Sequence, residues 1–455
     1  MNVMNIGNRV EMLVDDALIE STRGLRFELN RPMPREVVIR ADKPWEGVGS
    51  LVYNSVFEWN GKYHLYYRAT GPENKDDRDV LQYICYACSE DGVRWEKPNL
   101  GIYDYQGSTE NNILMGGDIC HNFTPFPDVN PDCPADQIIK ALAGYDHAVY
   151  IFVSGDGMHF KRLADQPALT SGAFAFDSQN VLFYDAPRGV YRIYARYWEK
   201  NVKERLEGTG VRAIMSSESK DCIAWSEPVP NEYVNGEWEH LYTNATTNCP
   251  GAEHMLISMP MRFAEKRVRR LMKLSEGMAD AVFMTSRDGV RWDRRFSDSL
   301  VGGGLDERGW TQRCNMPTTG ILMTDDEFSF YVTRRYSWED VHVQRFTVPK
   351  FRFASLKADI KPGKAVTRPM IFEGGRLYVN ARTAVTGDLR AEIINPETGR
   401  PYEGFALKDC APFFGDALDE ALVFKGGDLK ALAGKPVVLR FSMRLGELYA
   451  FRFGE

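Results

Sequence analysis

Four segments of this chain share one pattern: a β-rich run, a tight polar turn, then an aromatic residue. They are SEDGVRW (89–95), SGDGMHF (154–160), SESKDCIAW (217–225) and SRDGVRW (286–292). Their closing aromatics, Trp95, Phe160, Trp225 and Trp292, lie 65, 65 and 67 residues apart. A fixed period of this size marks a repeated supersecondary unit. Asp-Gly between two β-rich runs signals a hairpin, because glycine accepts positive φ. Asp91, Asp156 and Asp288 are accordingly read as structural turn residues.

Two more strand-like runs precede each turn. The first unit has SLVYNSVFEW and KYHLYYRA joined by Asn60-Gly61; the third has NVLFYD and YRIYARYW; the fourth has HMLISMPMRF and RRLMKL. A fifth unit follows with TTGILM, FSFYVTRRY and VHVQRFTV. Each unit is then about four antiparallel strands, which is a propeller blade. The reading is an all-β chain with a five-bladed β-propeller over 1–360. MLVDDALIE near the N-terminus is expected to add a strand to the last blade and close the ring, removing its open edge. After ADIKPGK the pattern changes to short alternating runs (GRLYVNAR, LRAEIIN, ALVFKG, KPVVLRFSM, ELYAFRF), predicting a C-terminal β-sandwich over 361–455.

Composition narrows the partners. Net charge is −7, which gives no electrostatic footprint for nucleic acid or an anionic membrane. No run approaches the 18 apolar residues a membrane-spanning helix needs. MNVMNIGNRVEMLVDD lacks a basic region followed by an apolar one, so a cytoplasmic location is expected; a secreted form would carry its leader upstream. Eight cysteines are spread thinly over the chain. Cys85 and Cys88 form a CxxC within a strand-like run, where residues three apart point to opposite faces. They are read as buried thiols, not as a zinc knuckle.

A blade with S-x-D-G-x-x-W between its outer strands resembles those of the five-bladed propeller glycosidases, the glycoside hydrolase families 32, 43, 62, 68 and 130. Family 32 enzymes also carry a C-terminal β-sandwich, and GKYHLYYR (61–68) is similar to strand B of their first blade. The resemblance implies the fold and a carbohydrate-active enzyme. It does not extend to the catalytic motifs. The position of the family 32 or 43 acid on the first inner strand falls at Val52, Tyr53 and Asn54, where there is no carboxylate, and the R-D-P and E-C motifs are missing.

Candidate residues therefore come from position. Inner strands line the axial tunnel and their starts face one funnel. Glycoside cleavage needs two carboxyl groups across the scissile bond. The expected pair is Asp177, in FAFDSQN, and Glu253, in PGAEHMLISM, with Glu46 in reserve to reach the gap left beside Asn54. Substrate contacts are expected from Arg68, Arg196, Arg313 and Arg335, as forks for an anionic group, and from His121, Asn54 and Asp118. Trp45, Trp198, Trp238, Trp310 and Trp338 could stack on sugar rings. The function read from this is hydrolysis of a glycosidic bond in a short oligosaccharide or at a polysaccharide end, on a neutral or anionic sugar. Phosphorolysis and non-catalytic glycan binding are the alternatives. Carbohydrate is the expected partner, with no cofactor or metal; oligomeric state is left open.

Overall fold

The computed structural model describes residues 3–71, 81–199 and 210–455. The chain forms two compact units: Met33–Thr324 with Ser329–Thr347, and Met1–Pro32 with Asp325–Phe328 and Val348–Glu455.

The first unit is a five-bladed propeller. The inner strands of blades 1 to 5 are Val52–Trp59, Thr124–Pro127, Val181–Asp185, Thr246–Cys249 and Met316–Pro317. Strand B of each is Lys62–Thr70, Ile139–Ser154, Val190–Glu199, Ala252–Ser258 and Glu327–Arg334. The ring closes where Val56 and Thr319 exchange a backbone bond of 2.9 Å, and Thr319 also donates to the Asn54 carbonyl at 2.9 Å. Gly320 permits this approach: at φ 99, a Cβ there would stand 1.9 Å from the Val56 carbonyl oxygen. The strand completing blade 5 is Met33–Arg40, antiparallel to His342–Pro349, and not MLVDDALIE. Leu13, Leu18 and Ile19 of that segment are buried in the core of the other unit, so residues 1–32 leave the expected propeller span.

The repeated turns share one hydrogen-bond pattern. In blade 1 the Asp91 carboxylate accepts from the Val93 and Arg94 backbone N–H groups at 2.8 and 2.7 Å, and Gly92 N–H donates to the Ser89 hydroxyl. Asp156, Asp221 and Asp288 do the same. In the third turn Cys222 replaces the glycine at φ 62. Tyrosines of strand B staple neighbouring blades to these turns: Tyr66 donates to the Gly157 carbonyl, Tyr194 to Gly289 and Tyr331 to Gly92. Of the four aromatics, only Trp292 lies within an outer strand, Arg291–Asp293; Trp95 and Phe160 precede short outer pairings, and Trp225 forms an isolated bridge with Ser219. The indoles of Trp95 and Trp225 close their turns instead, Trp95 Nε1 donating to the Gly92 carbonyl and Trp225 Nε1 to that of Cys222.

The second unit contains an eight-stranded antiparallel sheet. The short runs read from sequence fuse pairwise into two long strands, Arg376–Ile394 and Val438–Gly454, which pair with each other. A register shift at Thr383/Asp388 and a positive φ at Leu445 interrupt them. Leu377, Val379, Leu389 and Ala391 of one strand, and Leu439, Phe441, Leu448 and Phe451 of the other, share a single apolar core.

Candidate active site

The polar residues ahead of each inner strand are clamps before they are anything else. In blade 1, Asn54 Nδ2 donates to the Leu51 carbonyl and the Thr333 hydroxyl. Asn122, Asn180, Asn244 and Asn315 each donate to two loop carbonyls or hold one together with a backbone N–H. One asparagine per blade thus satisfies the buried backbone of the entry loops. Asn54 is a clamp of this kind through its Nδ2, while its buried Oδ1 has no hydrogen-bond partner among the described residues.

Asp177 stands in the entry loop of blade 3, where Phe176 takes φ 57. Its carboxylate is ion-paired with Arg196 of strand B in the same blade. Arg196 is only 2% exposed. Burial pulls its guanidinium below the ordinary value, while Tyr242 and Tyr53 oppose the shift. Tyr194 and Arg196 are two residues apart and share a strand face: the tyrosine staples the next blade while the arginine reaches the entry loops. Tyr66 and Arg68 repeat the arrangement in blade 1. In blade 5 the position two after Tyr331 is Thr333, so Arg335 is out of step. It takes φ 55 and pairs with Asp306 and Asp340 in a loop ion-pair cluster.

Arg68 donates to the ring and carbonyl of His121 and lies 4.9 Å from the Tyr53 ring centroid. The His121 ring contacts Tyr53 and Tyr145 and hydrogen-bonds the Asp177 carbonyl through Nε2 at 3.0 Å. That bond requires Nε2 to carry the proton, leaving Nδ1 to accept from Arg68. His121 ends the 3₁₀ turn Asp118–His121. Residues three apart on such a turn eclipse, so exposed Asp118 lies on the same edge.

Tyr242 is the hub. Its ring centroid lies 5.3 Å from the Arg196 guanidinium, 5.4 Å from that of Arg212 and 5.7 Å from that of Arg313. Arg196 and Arg212 also share the Trp198 ring, at 5.5 and 4.5 Å. Arg313 donates to the Tyr336 hydroxyl at 3.2 Å. Burial, reinforced by Tyr242, pushes the Tyr53 hydroxyl far above its ordinary range, against the pull of Arg68 and Arg313.

Arg212 ties the cluster to two residues, His240 and Glu265, that line a cavity of about 780 Å³ together with Trp238, Phe263 and Trp310, among others. It ion-pairs with Glu265 and donates to His240 Nδ1. Burial pushes the Glu265 carboxyl up, but Arg212 and His240 outweigh it and hold the carboxyl below its usual range. Burial lowers His240, and Glu265 only partly offsets this. Trp238 and Trp310 thus line the cavity, Trp198 joins the arginine cluster, and Trp45 is buried with its indole donating to Asn112. Trp338 donates to the Thr311 hydroxyl and lies 5.2 Å from both Arg308 and Lys273.

Two expected carboxylates stand elsewhere. The inner strand of blade 4 is the polar run Thr246–Cys249, and Ala252–Ser258 is strand B. Glu253 therefore sits at the hairpin between them, its carboxylate accepting from Gly251 N–H. Arg188, from the corresponding hairpin of blade 3, donates to the neighbouring His254 carbonyl. At about 3.3 Å per residue, the length of an inner strand puts that end roughly 13 Å from Asp177. Glu46 is fully buried: Tyr67 donates to it at 2.5 Å, Lys97 pairs with it at 2.7 Å, and the Asp42 and Lys43 N–H groups fill its second oxygen. It anchors a loop and does not reach beside Asn54. Glu265, Arg212, His240, Tyr53 and Tyr242 were not singled out from sequence. Glu265 opens the loop of an added hairpin, Met261–Ala264 with Met278–Ala281, that the repeat does not contain. The one available signal for Arg212 was its place at the start of strand C, directly across from Trp198.

No protein-family model matches the chain, and no curated protein matches it. Among solved structures it is similar to an N-acetylgalactosamine deacetylase from F. plautii in complex with blood group B trisaccharide, at 15% identity over 73% of this chain and 97% of that one, with a TM-score of 0.45. It is similar to a β-1,2-mannobiose phosphorylase from Listeria innocua at 11% identity, over 68% and 91%, with a TM-score of 0.45. It is similar also to a glycoside hydrolase family 43 arabinoxylan arabinofuranohydrolase from Bacillus subtilis at 8% identity, over 90% and 96%, with a TM-score of 0.43.

Proposed function

We propose that the chain is a glycoside hydrolase whose two working carboxylates are Asp177 and Glu265. The observation that carries this reading is their common support. Each is ion-paired to an arginine of blade 3, Arg196 or Arg212, and the two guanidiniums share the faces of Trp198 and Tyr242. Glu265 lines an aromatic-walled cavity of about 780 Å³, which suits a sugar ring: aromatic faces take its C–H surface, and the polar groups fix its orientation.

Asp177, ion-paired with Arg196, serves as base or nucleophile at the anomeric carbon. Glu265 serves as the proton donor to the departing oxygen. Cleavage breaks the glycosidic C–O bond, and water supplies the hydroxyl at the anomeric carbon and the proton that restores Glu265. His121, fixed through the Asp177 carbonyl and Arg68, keeps the Asp177 loop in place.

Release of reducing sugar from a panel of oligosaccharides tests the proposal. Turnover lost in both Asp177→Asn and Glu265→Gln is the expected result. Glycan binding without turnover, unaltered in the two variants, would replace the enzyme with a binding propeller.

A further inference from the structure

The groups around Tyr53 and Tyr242 carry more positive charge than their described partners neutralise. Arg196 and Arg212 each face one carboxylate. Arg68 is buried and has no carboxylate partner among the described residues: its contacts are His121 and the Tyr53 ring, and its Nε has no hydrogen-bond partner. The Nε atoms of Arg196 and Arg212 are buried and likewise unpartnered. Arg313 adds a fourth guanidinium at the Tyr242 ring. Buried donors left unsatisfied are costly. Forked N–H groups converging from blades 1, 3 and 5 match the oxygens of an anion.

We infer that this cluster is an oxyanion subsite, with Arg68, Arg196, Arg212 and Arg313 as donors for a carboxylate or sulfate borne by the sugar that the enzyme cleaves. The inference rests on the hydrolase reading given above. It also supplies what Glu265 lacks. A proton donor must hold its proton, yet Arg212 stabilises the ionised form. An oxyanion that engages Arg212 takes that stabilisation away and sets a like charge near Glu265, and both changes favour the protonated acid. The substrate thereby completes the catalytic group that acts on it.

The experiment compares matched substrates: a uronic-acid oligosaccharide, its carboxyl-reduced neutral counterpart and a sulfated counterpart, each with and without inorganic phosphate. The expected result is kcat/KM for one anionic sugar at least about 100-fold above the neutral one, with the preference falling about 10- to 100-fold in Arg68→Met and in Arg313→Met, as charge-assisted bonds are lost. The uronate and sulfate arms identify the anion. Strict dependence on phosphate, with neutral sugars then accepted, assigns the oxyanion seat to a free phosphate co-substrate and overturns the sugar-borne anion. Equal turnover of neutral and charged sugars without phosphate, unaffected by Arg68→Met, overturns the subsite while leaving the hydrolase standing. If no sugar is turned over, titration calorimetry with inorganic sulfate and with glucuronate still reads the seat: binding weakened at least about tenfold in Arg68→Met supports it, and binding unchanged in that variant refutes it.

Discussion

Asp177 and Arg196 form an ion pair within the third blade, the carboxylate from the loop entering the inner strand and the guanidinium from strand B beside it. The arginine is buried and the carboxylate faces the entry side. Asp177→Asn removes the charge that chemistry at the anomeric carbon needs, and turnover should fall about 10²- to 10⁴-fold. It also leaves Arg196 buried without its partner, so a lower melting temperature is expected. Glu253→Gln, at the far hairpin, should change neither turnover nor melting. Steady-state kinetics below the melting range separates the two effects, and near wild-type turnover in Asp177→Asn removes it from the mechanism.

Glu46 is a carboxylate of the other kind, with both oxygens held by structure. Breaking its buried pair with Lys97 in Glu46→Gln should cost about 3 kcal/mol. Asp42 holds the same ammonium at 2.8 Å, which keeps the loss from growing larger. For a propeller of this size that is a drop of roughly 6–12 °C in melting temperature. The value of kcat should stay within about twofold of wild type. A large loss of kcat with unchanged melting would place Glu46 in the reaction after all.

The repeat was legible because its turns are local chemistry. The turn bonds of the Ser89 hydroxyl, the Asp91 carboxylate and the Gly92 N–H run only among near neighbours, so four copies announce four blades wherever they occur. Arg68 and Arg196 could be singled out for a similar reason: each stands toward the end of a strand, in step with a tyrosine. Glu253 misled because an apolar run, HMLISM, looks more like an inner strand than TTNC does. Yet the innermost position of a blade is lined by polar groups, and Thr246 and Ser258 bond to each other there at 3.0 Å. Glu265 and Tyr242 could not be read at all. They meet Arg212 only once blades 3 and 4 stand side by side, a contact that no spacing within one repeat encodes. The tail was legible as strands but not in its length: turns were read at 383–388 and near 445 where two strands continue.

His64 should make the propeller acid-sensitive. It is buried between strands, Nε2 donating to the Trp59 carbonyl at 3.1 Å and Nδ1 accepting from the Tyr86 hydroxyl at 2.8 Å. Burial lowers its pKa, the Trp59 carbonyl opposes this, and Lys62 adds to the lowering. The folded state therefore binds this proton less readily than the unfolded chain. Its contribution to stability is fully present above the unfolded value of about 6.5 and is lost as pH falls through that value toward the lower folded one. Melting temperature measured from pH 7.5 down to 5 should fall, and His64→Asn should flatten its share of that slope while melting lower at pH 7.5. A ring titration by NMR at or above the ordinary histidine value would contradict this.

The pH dependence of catalysis should separate free enzyme from complex. The profile of kcat/KM reports groups of the free enzyme, and that of kcat reports the substrate complex. In the free enzyme Glu265 feels burial upward, then Arg212, His240 and Lys266 downward, with the net shift downward. A proton donor is active when protonated, so the alkaline limb of kcat/KM should lie below the ordinary glutamate value of about 4.3. With an anionic sugar bound, Arg212 is shared with the oxyanion, and the alkaline limb of kcat should move to higher pH. Arg212→Met removes the largest downward influence, so the kcat/KM limb should also rise as total activity falls. His240→Gln should move it the same way by less. A kcat/KM limb that stays in place in Arg212→Met would mean that the proton comes from a group other than Glu265.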